Sequence, residues 1–194
     1  MEIGPWSVEK GNPHIASYPA SLIVPPFRAA LAHDLLRLAL PAPPRYNARM
    51  IEYVVSACLA GCHCRYDGGT TPDERVLALI QQGRALPLCP EQMGGLPTPR
   101  PPFELRHGKA VDRDGNEVTP AILRGVDEAM RLVQLAGCTG AILKSRSPSC
   151  GFGLIYDGTF SGVRIPGNGI FADRLLRAGI QIWADTSLDT NVIL

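Results

Sequence analysis

The sequence has no apolar run of the roughly 20 residues needed to span a bilayer, and no basic start followed by a hydrophobic stretch. A cytosolic location is therefore expected. Charge of one sign is also lacking: 19 lysines and arginines against 18 aspartates and glutamates leave a formal net charge of +1. Nothing in that balance draws the chain to polymeric nucleic acid or to a membrane. There is no internal repeat, and no low-complexity tract beyond a proline-rich leader.

What is present is a 194-residue chain with 45% apolar content, enough for one domain with a real core. It carries six cysteines. In a reducing compartment these argue against a disulfide framework and for buried thiols, metal ligands or reactive groups.

Composition changes near Met50. Residues 1–49 form a proline-rich extension without cysteine, and residues 50–194 the α/β domain. Within the extension, FRAALAHDLLRLAL can form an amphipathic helix with Phe27, Leu31, Leu35 and Leu38 on one face. Either the extension is loosely attached, or Met50 is the natural start.

From Ile51 the pattern is regular. Ile51 to Val55 reads as a buried strand. Thr71-Pro72-Asp73-Glu74 offers a cap and a proline at the first helical position, with Val76, Leu77 and Ile80 as the stripe and Gly83 as the stop. Ala85 to Leu88 is a strand that Pro87 confines to an edge or end. A proline- and glycine-rich loop runs from Cys89 to about His107. Thr119-Pro120 repeats the cap-plus-proline start, followed by Ile122, Val126, Ala129, Val133 and Ala136 up to Gly137. Ala141 to Leu143 is the next strand, Asn168 caps a helix ending at Gly179, and Ile180 to Trp183 is the last strand. Strands separated by helix-length crossovers predict a parallel sheet flanked by helices.

Three cysteines occupy equivalent places in this scheme. Cys58 follows the first strand, Cys89 closes the second, and Cys150 lies in the loop after the third. Ligands of open parallel sheets bind beyond the strands' C-terminal ends, so these thiols are expected to converge there. Three thiolates suit a soft metal or an iron–sulfur cluster, and three rather than four leave one metal site open. The competing reading is scattered core thiols. Cys62, His63 and Cys64 make a weak zinc fragment, since no second cysteine pair follows at finger spacing. Cys138, just past a helix stop, is expected to pack.

Around the thiols, CPEQMGGLPTPRPP combines permissive glycines with stiffening prolines, and KSRSPSCG sets Lys144, Ser145, Arg146, Ser147 and Ser149 near Cys150. Those groups can hydrogen-bond cluster sulfides or a substrate. A plain polar surface loop is the alternative.

The blocks VSACLAGCHCRYDG, CPEQMGGLPTPRPPFE, GNEVT, ILKSRSPSCGFGLIYDGTFSG and GNGIFADRLLRAGI resemble, in order, the signature blocks of the thiouracil desulfurase (2-thiouracil desulfidase) family of bacteria, over roughly Ile51 to Trp183. That resemblance implies a Rossmann-like α/β domain with a 4Fe–4S cluster held by Cys58, Cys89 and Cys150, one iron having no protein ligand. It also implies catalytic roles for Glu91 and Ser147. The implied partner is a small thiolated heterocycle whose sulfur binds the open iron while water attacks the carbon, Glu91 acting as general base and Ser147 positioning. Arg65, Asp67 and Glu104 are expected to support the loops. Three alternatives remain: a zinc hydrolase built on three thiolates, a non-catalytic metal or cluster protein with Cys62 or Cys64 as a fourth donor, and the same desulfuration on another thiolated nucleobase, nucleoside or thioamide. The sequence gives no oligomeric state.

Overall fold

Alternation of apolar residues explains how the centre of the molecule is built. In a strand successive side chains face opposite ways. Val54, Ala141, Leu143 and Ile182 accordingly pack into one buried cluster, while Val55 and Ile142 pack into another on the opposite face. The fold comes from a computed structural model, which describes residues 51–188. The leader and its Phe27–Leu40 helix lie outside those residues.

In chain order the elements are β1 (Tyr53–Ser56), α1 (Glu74–Gln81), β2 (Ala85–Leu88), α2 (Pro90–Met93), β3 (Phe103–Arg106), β4 (Lys109–Asp112), α3 (Thr119–Ala136), β5 (Gly140–Leu143), β6 (Leu154–Tyr156), β7 (Arg164–Pro166), α4 (Ile170–Arg177) and β8 (Gln181–Ala184). A 3-10 turn, Ala57–Ala60, follows β1, and a second, Asp185–Ser187, follows β8. The main sheet is ordered β2-β1-β5-β8 and every pairing in it is parallel. This is the expected α/β, Rossmann-like sheet, and β2 with its Pro87 takes an edge.

Helix α1 covers one face through Val76 and Leu79. On the other, α3 buries Ile122, Val126, Ala129 and Val133, and α4 buries Phe171 and Leu175. Each fully buried valine, leucine, isoleucine or phenylalanine side chain among these contributes about 1.5–3 kcal/mol before entropy is charged against it. The chain leaves β1 for β2 on one side and later returns to β5 on the other. The order therefore reverses at β1, and a crevice opens beyond the C-terminal ends of β1 and β5.

Three helix starts differ from their sequence expectations. Asp73, not Thr71, caps α1: its carboxylate accepts from Arg75 N, and Val76 and Leu79 rather than Leu77 and Ile80 are buried. A carboxylate tied also to the Arg75 guanidinium makes the stronger cap. Thr119 lies inside α3, its hydroxyl accepting from Ala110 N at 2.9 Å. Asn168 stands one residue before the capping Gly169 of α4 and accepts from Gly153 N at 2.9 Å instead. The stretch from Cys89 to His107 is not all loop, since it contains α2 and β3. Two hairpins, β3–β4 and β6–β7, stand apart from the main sheet.

Helix α2 lies hard against α3 because both surfaces carry glycine at the contact. A Cβ at Gly125 would sit 1.8 Å from Pro90 O, and one at Gly94 would sit 2.1 Å from Ala121 O. That approach fixes the position of the segment that follows Cys89.

Candidate functional site

A cavity of about 530 Å³ opens in the crevice beyond β1 and β5, within the roughly 300–1,000 Å³ typical of small-molecule sites. Its lining includes Cys58, Cys89 and Cys150 together with Glu91 and Ser147, so all five residues singled out in the sequence share one wall system.

Each thiol is delivered by a different element. Cys58 sits in the 3-10 turn after β1, closed by Gly61 in the left-handed region at φ 88°. Its carbonyl accepts from the Thr70 hydroxyl at 2.9 Å and from Thr71 N at 3.0 Å. Cys89 directly follows β2 and is the N-cap residue of α2. Cys150 is buried in the loop after β5. That loop is anchored by the Ser56 hydroxyl, which accepts from Lys144 N at 2.9 Å, and by Ser147 Oγ, which accepts from Ser149 N and Cys150 N, each at 3.1 Å.

The electrostatics couple the three. Cys64 is buried beside them: its carbonyl accepts from the Cys89 thiol at 3.9 Å, and its own thiol acts on both Cys58 and Cys89. That contact holds Cys58 below the usual thiol range against the opposing cost of burial, and with other hydrogen bonds it brings Cys89 down to about 7. Cys64 itself is pushed up, first by the Cys58 contact, then by the Cys89 contact and burial. Cys150 is raised by burial first, with the charges of Cys58, Cys89 and Glu91 adding to it. Two thiols are thus biased toward the thiolate, and the third feels both.

Glu91, in the first turn of α2, is held at both oxygens. Its Oε2 accepts from Nε of the buried Arg100 at 3.0 Å and also from Nη2, and its Oε1 accepts from the fully buried Ser149 hydroxyl at 2.9 Å. Lys144, which also lines the cavity, pairs with Asp185, and Asp185 accepts from Ser145 N at 2.8 Å.

The supporting residues fall as expected. Asp67 takes the Arg65 guanidinium and Gly69 N, and Glu104 Oε2 accepts from Gly158 N and Phe160 N, holding the loop that brings Phe160 to the cavity. Cys62 is exposed, and Cys138 packs in the core beside α3. Sequence reasoning gave Arg100 no role, placed Ser149 only among the polar groups near Cys150, and read Cys64 as a zinc fragment or fourth donor. The only signal for Arg100 was its place among the stiff prolines of PTPRPP.

The donor set fits a cluster better than a lone ion. Among the described residues, no three His, Cys, Asp or Glu side chains come together tightly enough to hold one metal ion. Three soft thiols nevertheless border one cavity, as a larger iron–sulfur group needs. No described helix is long and apolar enough to cross a membrane.

Comparison with known proteins agrees with this chemistry. Residues 53–187 match the family described as 2-thiouracil desulfurase. The chain is similar to the uncharacterized protein YbbK of Bacillus subtilis (strain 168), 36% identical over 146 residues, which is 70% of this chain and 97% of that protein. A solved structure of a 4Fe-4S-dependent thiouracil desulfidase, TudS, is similar at 44% identity and a TM-score of 0.68, covering 71% of this chain and 92% of the other.

Proposed function

The chain belongs to the 2-thiouracil desulfurase family, and we propose that it converts the thiocarbonyl of a 2-thiouracil-like heterocycle to a carbonyl and releases sulfide. The observation that carries this reading is the meeting of Cys58, Cys89 and Cys150 on one cavity at the reversal point of the sheet. Those residues would hold a 4Fe–4S cluster. Bound there, it would supply a soft Lewis acid suited to the substrate sulfur, which would polarise the thiocarbonyl carbon.

The chain's own groups then divide the remaining work. Ser147 Oγ spends its acceptor capacity on two backbone N–H groups, so its hydrogen is left to donate into the cavity. It serves as a hydrogen-bond donor that orients the heterocycle, and not as a base. Glu91 gives Oε2 to Arg100 and keeps a lone pair on Oε1, the atom through which it takes the proton of the attacking water. Tyr66, Phe103, Tyr156 and Phe160 give the cavity aromatic walls suited to a flat ring.

Residues 50–194 form the catalytic unit in this reading, with 1–49 an extension, because the family match begins at residue 53. A reducing cytoplasm suits the free thiols. The test is to reconstitute the protein anaerobically and incubate it with 2-thiouracil and related thio-heterocycles. Sulfide and the oxygen analogue are expected in equal amounts. A fully loaded protein that releases neither rules the proposal out. A second reading, a fully ligated cluster without turnover, draws on Cys64, which lines the same cavity, as a fourth donor.

A further inference from the structure

Arg100 lies in the segment PTPRPP, where prolines fix φ and remove backbone donors, so its path is stiff. Its side chain is only 4% exposed. Burying a guanidinium is costly unless every donor finds a partner. Here all five N–H groups do: Nε and Nη2 to Glu91 Oε2, Nη2 also to Cys64 O at 3.0 Å, and Nη1 to Pro97 O and Thr98 Oγ1 at 3.0 and 3.2 Å. Its backbone N–H donates to Tyr66 O at 2.8 Å. One residue thereby ties the Cys58–Tyr66 loop to the α2 segment that begins at Cys89.

We propose that Arg100 is the positioning residue for Glu91: its planar fork takes Oε2 alone and turns Oε1 toward the Ser149 hydroxyl and the cavity. This inference rests on the reading of Glu91 as the group that takes the proton of attacking water. A structural ion pair would be served by any cation. Aiming a carboxylate requires two N–H groups in a fixed plane, which lysine's point charge does not supply.

The test compares Arg100→Gln, Arg100→Lys, Glu91→Gln and the double variant Glu91→Gln/Arg100→Gln, each reconstituted anaerobically beside wild type. In Arg100→Gln, iron and sulfide content and the cluster's absorption spectrum are expected to match wild type. Its kcat should fall about 100-fold, as for a misplaced catalytic group, with KM within about threefold. Arg100→Lys should load fully yet recover no more than about a tenth of the wild-type kcat. The double variant should be no slower than Glu91→Gln, because Arg100 acts only through Glu91.

A kcat within about threefold of wild type in Arg100→Gln, full recovery with lysine, or additive losses in the double variant would each overturn the proposal. If Arg100→Gln fails to fold or load because a buried carboxylate is left unpaired, the double variant should fold and load; its failure to do so overturns the proposal as well. Wild-type protein that loads but releases no sulfide defeats the functional reading and this one with it, whereas wild-type turnover beside an unaffected Arg100→Gln defeats only the role of Arg100.

Discussion

The Ser149 hydroxyl donates to Glu91 Oε1 at 2.9 Å across 58 residues of sequence. The residue beside Cys150 is thereby bonded to the residue two after Cys89, so two of the three thiol-bearing segments share a buried hydrogen bond next to the cavity.

Removing that bond leaves Glu91 Oε1 without its buried donor. Ser149→Ala is expected to keep its iron, lower kcat by about tenfold and cost on the order of 1 kcal/mol of stability. Steady-state sulfide release and urea denaturation read the two effects. Wild-type kcat in this variant would show that the Ser149–Glu91 bond does not matter for turnover.

Gly125 sits in the middle of α3, where alanine would ordinarily stabilise a helix by about 1 kcal/mol. The 1.8 Å approach to Pro90 O reverses the sign. Gly125→Ala should lose about 1–3 kcal/mol in urea denaturation through overpacking, and should lower cluster loading because α2 follows Cys89 directly. A stabilised variant would mean the two helices can part freely.

Asp185 carries a pH signature. Burial pushes its carboxyl up, but hydrogen bonds from Lys144 and Ser145 outweigh that and leave it below the ordinary aspartate value of about 3.9. A depressed native value stabilises the fold fully above the unfolded one, and the contribution is lost as pH falls through the native one. Asp185→Asn should therefore be less stable than wild type by on the order of 2 kcal/mol near neutrality, with the gap closing below about pH 4. Urea midpoints of both proteins across that range check it; a constant gap would contradict the assignment.

Cys64 separates an open cluster from a closed one. With three ligands supplied by Cys58, Cys89 and Cys150, Cys64→Ala should retain its iron and acid-labile sulfide while losing the hydrogen-bonding neighbour of two ligand sulfurs. A shift in the cluster's reduction potential is the expected readout. Loss of one iron ligand, seen as a degraded cluster, would favour the fully ligated reading.

The sheet was legible in the sequence because burial on both faces writes apolar runs at β1 and β5, and because each run is followed by a loop rich in glycine, serine or cysteine. Convergence of the three thiols followed from the topology alone. The β3–β4 and β6–β7 hairpins were not legible, since strands of three or four residues with exposed positions carry no usable period. Arg100 was hidden for another reason: nothing local distinguishes a buried arginine from a solvated one when its partner, Glu91, is reached by a turn of the chain. The start of α1 was misread by two residues because threonine, proline and aspartate are all plausible at a helix start, and only the Arg75 contact to Asp73 decides between them.

The central claim is most directly tested by counting iron and acid-labile sulfide in Cys58→Ser, Cys89→Ser and Cys150→Ser after identical anaerobic reconstitution. The account predicts a wild-type protein with four irons per chain, and a lost or damaged cluster in every single variant. A complete cluster surviving in all three would contradict it.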